Sequence, residues 1–262
     1  MNLPVLESWS DSLLGKTHLP TQPASTSEQA VQPQADLYPK PSPACDEKEF
    51  LRTVDRHEII VLRDDGVNRH LKFAAPYQKQ EEGKPTQYDS NRWFELLTWP
   101  GKLCISGDMG TFVFTRLPDM FEFFRADRFE RKPDRTLFIN PGYWKQKCIA
   151  ADGDGDSIEK WNAEYFKYRV WSWMEESSAT EEDRQEVIDD VISCADDGEW
   201  RAMTAAVDFK SESGYQLYGF WEADCKVYAY HYLWCCYAIA WGVQRYDEYK
   251  QSVSAFAGQG VE

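Results

Sequence analysis

The chain runs to 262 residues, 42% apolar and 15% aromatic with 11 Trp, enough to bury a stiff, ring-rich core in one large domain or two small ones. Its formal charge of −15 argues against direct contact with a nucleic-acid backbone or an anionic membrane, and leaves a basic protein as the compatible partner. Seven Cys without CxxC, zinc-type or framework spacing argue against a disulfide scaffold and point to reduced thiols in a cytoplasm.

In chain order, residues 1–45 read as a disordered arm. Seven of the 13 prolines fall there among Ser, Thr and Gln, too few apolar groups to offset the entropy of ordering. Residues 1–16 hold no apolar stretch of the kind a secretory leader needs. Asp46 to Val54 reads as a short helix. His57 to Arg63 and Asn68 to Ala74 read as strands joined at Asp64-Asp65-Gly66. A polar loop covers 78–91, and a third strand over 92–99 ends at Pro100-Gly101. The clearest hairpin sets Leu103 to Ser106 against Thr111 to Thr115 across Gly107-Asp108-Met109-Gly110. Four to five strands therefore lie between 57 and 116, in a mainly antiparallel sheet.

Five or six helices over about 117–250 complete an α+β domain at 46–252, followed by a flexible tail at 253–262. The first spans 117–125. Asn140-Pro141 is a cap followed by Pro at N1, predicting a helix to about Ala150. Asp156 or Ser157 is the expected cap of a long helix to Ser177, on which Ile158, Trp161, Tyr165 and Tyr168 recur at helical steps. Thr180 and Asp183 resemble a capping box opening a helix to Asp196. Another helix starts near Glu199, and after Gly214 and Gly219 the last runs from about Trp221 to Tyr249. Its stretch 227–243 carries no formal charge, but it is short for a membrane span and rich in Tyr, so a buried core helix is expected, with His231 and the set from Trp221 to Trp241 packed inside.

Several groups could carry chemistry. Asp152, Asp154 and Asp156 alternate with glycine in a turn, a pattern that suits Ca²⁺; Ser157 and Ala163 stand where an EF-hand needs Gly and Glu, so an acidic linker before a helix explains the same letters and no metal or other cofactor is expected. Asp108 sits on the hairpin turn, Cys104 on the strand before it, and His57 and His70 on neighbouring strands. Together they would make a nucleophile and base if the fold converged them. A hairpin turn also needs Asp and Gly for its own geometry. No GxGxxG, Walker, GxSxG, HExxH or deaminase signature is present. The charge distribution is more specific. Residues 151–200 hold 16 Asp or Glu against four Lys or Arg, a net of −12 out of −15. Glu175, Glu176, Glu181, Glu182, Asp183, Glu186, Asp189 and Asp190 form its centre, a candidate surface that imitates a nucleic-acid backbone toward a basic groove.

Phe94 to Arg125 (FELLTWPGKLCISGDMGTFVFTRLPDMFEFFR) and Phe220 to Asp247 (FWEADCKVYAYHYLWCCYAIAWGVQRYD) resemble segments of uncharacterised proteins carried by tailed bacteriophages and prophages. The resemblance implies an accessory protein acting in a bacterial cytoplasm and carries over no catalytic residue. Two readings result. The leading one is a non-enzymatic phage protein that blocks a basic host nucleic-acid-binding or defence factor through its acidic helices. The other is an enzyme acting on a small molecule or phosphoester, with its pocket near the 103–115 hairpin.

Overall fold

The computed structural model describes residues 37–77, 83–126, 137–152 and 157–258, without the side chains of 256–258. The chain divides after Leu37 into two units, and the second, Tyr38–Glu262, holds all the described helices and strands. The strands are β1 (Glu58–Asp65), β2 (Asn68–Ala74), β3 (Phe94–Trp99), β4 (Lys102–Gly107), β5 (Gly110–Thr115), β6 (Cys148–Ala151), β7 (Glu159–Trp161) and β8 (Lys226–Tyr228). The helices are α1 (Glu47–Thr53), α2 (Met120–Ala126), α3 (Pro141–Lys145), α4 (Ala163–Glu175), α5 (Glu181–Asp190), α6 (Glu199–Asp208) and α7 (Tyr230–Gly258), with 3-10 turns at Ile192–Asp197 and Phe220–Glu222.

Strands β1 to β6 form one antiparallel sheet in chain order and β7 pairs with β8 in a second, so the fold is α+β with more strands than the four to five the sequence predicts. Two tight turns set the register. Asp65 pairs with Asn68 around Gly66-Val67, where Gly66 has φ 60°, and Gly107 pairs with Gly110 around Asp108-Met109. The first turn lies further along than Asp64-Asp65-Gly66, because Asp64 and Asp65 remain in the ladder opposite Arg69 and Asn68. Alternation then aligns Leu71, Leu96, Ile105 and Phe112 across four strands on one buried face. The sixth strand comes from residues expected to prolong α3. Cys148, Ala150 and Ala151 pair with Phe114, Val113 and Phe112 on the free edge of β5, and this pairing overrides the helical start set by Asn140.

Helix α7 lies against the buried face. Its other sides meet α1, where Phe50 contacts the rings of Trp234, Tyr237 and Trp241, and α2, where Phe121 contacts Tyr246. Tyr232 donates to the Pro141 carbonyl of α3 at 2.8 Å. Enclosure on every side explains why residues 232–243 are apolar all round and all buried. No helix among the described residues is long and apolar enough to cross a membrane. The helix begins at Tyr230 instead of near Trp221, since Lys226 to Tyr228 pair as β8 with Glu159 to Trp161. It also continues through Gly258, into the expected tail.

A second apolar cluster sits among the later helices: Phe166, Val170 and Met174 of α4, Val187 of α5, Ala202 and Ala206 of α6, and Phe220. Helix α4 starts later than predicted, because β7 occupies 159–161. Its cap is Asn162, whose side chain accepts from the Tyr165 amide at 2.7 Å. The Thr180–Asp183 capping box forms as expected, though α5 ends at Asp190 and the chain tightens into the 3-10 turn before Asp197. Tyr38, inside the expected arm, packs on Trp171 with ring centroids 5.6 Å apart, and Cys45 is buried.

Candidate functional site

The acidic surface is built on α5. At about 100° per residue, Glu181, Glu182, Glu186, Asp189 and Asp190 fall within about 180° of arc, while Asp183 and Val187 turn inward. Glu181, Glu182, Asp189 and Asp190 are exposed. Among the described residues no Lys or Arg forms an ion pair with Glu182, Glu186, Asp189 or Asp190. Glu186 accepts from the Glu212 amide at 3.0 Å, and Asp189 from the Gln185 side chain at 3.1 Å. On α4, Glu175 accepts from the Trp171 ring nitrogen at 3.2 Å, and Glu176 is exposed at the C-cap. Neither α4 nor α5 has a basic residue in its last turn. Carboxylates there oppose the negative end of the helix dipole, each at a cost of about 0.3–1 kcal/mol. The carboxylates beyond α5 are partly neutralised: Asp196 by Lys167, Asp197 by Arg201 and Glu199 by Lys226.

Asp183 is the exception in this set. Expected on the surface, it is buried, and its carboxylate is an internal tie. Oδ1 accepts from the Ser211 and Ser213 hydroxyls, both at 2.6 Å, and Oδ2 accepts from the Thr180 amide and hydroxyl at 3.0 and 2.9 Å. The two serine bonds, then the Thr180 amide, hold its carboxyl far below the usual range.

The residues of the enzymatic reading divide into two places. His57 and Asp108 meet at Arg92, a non-glycine residue with φ 59°. Asp108 Oδ2 accepts from the Arg92 amide at 2.9 Å, and His57 Nε2 bonds the Arg92 carbonyl at 3.0 Å. The two side chains brace a left-handed backbone that L-residues adopt at a cost of about 1–2 kcal/mol. The Arg92 guanidinium donates to Tyr230 at 2.8 Å, and that hydroxyl donates to Glu49 at 3.2 Å, so the segment before β3 is tied to α7 and, through Tyr230, to α1. Burial lowers the pKa of His57. Cys104 and His70 sit elsewhere, on the outer face of the sheet. The register His70–Leu97–Cys104 places them two strands, about 10 Å, apart. His70 bonds Glu95 at 2.8 Å, and burial raises the Cys104 thiol, disfavouring the nucleophilic thiolate.

Asp152 accepts from the Thr111 amide at 3.0 Å, whereas Asp154 and Asp156 lie outside the described residues. Among the described residues, no group of three or more His, Cys, Asp or Glu could hold a metal ion. Two aromatic expectations are corrected. His231 is exposed on the first turn of α7, and Trp221 is 66% exposed because it belongs to a 3-10 turn before that helix. Trp200, at 80% exposure, was not singled out from the sequence, although its spacing to Met203 and Val207 makes a second apolar stripe on α6, beside the Ala202–Ala206 stripe that faces the core.

Fold and surface together define an α+β protein with an acidic helical lobe. No family model, curated protein or solved structure matches the chain, so each residue's role rests on its own chemistry.

Proposed function

We propose that this chain is a non-enzymatic interaction protein that engages a basic host protein through the outer face of α5. In the setting the phage resemblance implies, that host protein is a nucleic-acid-binding or defence factor in a bacterial cytoplasm. The supporting observation is the one-sided array on α5, where Glu182, Glu186, Asp189 and Asp190 have no cationic partner among the described residues. Such an array concentrates negative potential, which speeds encounter with a basic groove and aligns it. Carboxylates at the C-terminal ends of α4 and α5 cost stability, and a binding role accounts for their presence there.

The test compares the parent protein with a variant carrying Glu181→Lys, Glu182→Lys, Asp189→Lys and Asp190→Lys. Both are immobilised in extract from infected bacteria, and bound proteins are identified by mass spectrometry. The expected result is a basic protein held by the parent at low salt, released as salt rises, and not retained by the variant. Equal retention by both forms, independent of salt, would rule the reading out.

A further inference from the structure

The second apolar stripe of α6 faces a groove of about 570 Å³, with Trp200, Met203 and Val207 on one wall and Trp221 on the other. Trp200 is 80% exposed, Trp221 66% and Val207 51%. Apolar groups of this size brought together on one surface mark a place where something docks. Large exposed rings that become buried on binding are the residues that dominate interface energies. Neither ring belongs to the core: α6 turns Ala202 and Ala206 inward, and of the outer stripe only Met203 also packs against the buried cluster.

The rim specifies the occupant. Glu199 and Asp208 stand at the two ends of the stripe, and Glu222 lies beside Trp221, all three exposed. Only Glu199 among them has a described ion pair, with Lys226. A second copy of the chain would set these carboxylates against their own kind in a molecule of charge −15, which disfavours self-association. From Trp200 to Val207 the groove is about 10 Å long, roughly two helical turns. We propose that it receives an amphipathic α-helix of a partner protein, with two or three apolar side chains seated between Trp200 and Trp221 and Lys or Arg on its flanks meeting Glu199, Asp208 and Glu222. This is the helix-in-groove mode of recognition. The inference rests on the reading of a basic partner and adds an anchor to it: the α5 face attracts and aligns, and the tryptophan groove provides the buried contact.

The experiment uses the full chain with 5-fluorotryptophan and, as probe, a synthetic amphipathic Leu/Lys helix of about four turns. Two controls are a Leu/Glu helix with the same apolar face and a Leu/Lys peptide of shuffled order. The expected result is that the Leu/Lys helix moves the Trp200 and Trp221 fluorine signals. Trp200→Ala and Trp221→Ala each raise its Kd by at least about tenfold, and the controls bind weakly. Val207→Lys, also at an exposed position, gives the same loss without removing a ring. Both rings lie outside the core, so unchanged circular dichroism accompanies the loss. Unchanged Kd in all three variants overturns the inference, as does equal binding of the Leu/Glu helix. A parent dimer that Trp200→Ala converts to a monomer, read by sedimentation, also overturns it by making the groove a self-interface. The two proposals separate by variant. Loss of the host partner on α5 charge reversal but not on tryptophan substitution removes the groove alone. Loss on tryptophan substitution with α5 reversal silent removes the acidic face alone.

Discussion

Asp183 shows how a single carboxylate can be read from sequence in kind and misread in role. Its position three residues after Thr180 announces a capping box, and the box forms. The Ser211 and Ser213 hydroxyls, 28 and 30 residues away, turn it into the tie between α5 and the loop after α6, and nothing local signals them. The depressed carboxyl has a consequence for acid stability. A group whose folded pKa lies below its unfolded value stabilises the fold fully above the ordinary carboxylate pKa, about 4, and that contribution is lost as pH falls through the folded value. Urea denaturation as a function of pH should therefore show the parent losing stability below about pH 4, with Asp183→Asn less stable at neutral pH and showing a shallower acid-side decline. An identical slope in both proteins would remove Asp183 as the source. The same residue-scale view applies to Arg92, whose positive φ is invisible in sequence because His57 and Asp108, which brace it, come from the connection before β1 and the turn between β4 and β5.

At the scale of elements, the approach of α7 to the sheet depends on Gly242. A methyl group there would lie 2.7 Å from Leu96 Cδ1 and 3.3 Å from two atoms of the Phe73 ring, both side chains fully buried. Ala gains about 1 kcal/mol of helix propensity over Gly, while overpacking a filled core costs about 1–3 kcal/mol. Because neither neighbour has free space to move into, the clash wins, and Gly242→Ala should lower stability by about 1 kcal/mol net. A rise in the denaturation midpoint would show instead that Leu96 relaxes. The elements legible in the sequence were those whose signals are local: the Asp108-Met109 hairpin, the alternating strands β2 to β5, and the Thr180 cap. The misplaced ones depend on partners far along the chain. Residues 148–151 become a strand because β5 offers an unpaired edge, and 159–161 because Lys226 to Tyr228 pair with them, so a helical period at Ile158 and Trp161 was overridden by tertiary contacts. The same holds for the site. The one-sided charge of α5 is written in its spacing, whereas the exposure of Trp221 follows from where α7 begins.

For the molecule as a whole, 12 of the 15 net negative charges fall within residues 151–200, and most of the described carboxylates of that stretch lie on α4, α5 and the turns that follow them. Glu186 stands one turn from both Glu182 and Asp190, and like charges at that spacing cost about 0.2–0.5 kcal/mol per pair. Asp189 and Asp190 add an unfavourable interaction with the C-terminal end of α5. Replacing both by Asn keeps size and hydrogen bonding, including acceptance from Gln185, while removing the charge. Asp189→Asn with Asp190→Asn should raise stability by about 0.5–1.5 kcal/mol at low salt. The gain should shrink in about 1 M salt, where the screening length falls to roughly 3 Å. Denaturant titrations at the two ionic strengths measure both effects. If function requires the repulsion, the stabilised variant binds the basic partner more weakly at low salt, with slower association as the main change, because fewer charges steer the encounter. A variant that gains stability and keeps its full association rate would show that these carboxylates serve solubility, and that recognition lies elsewhere on the surface.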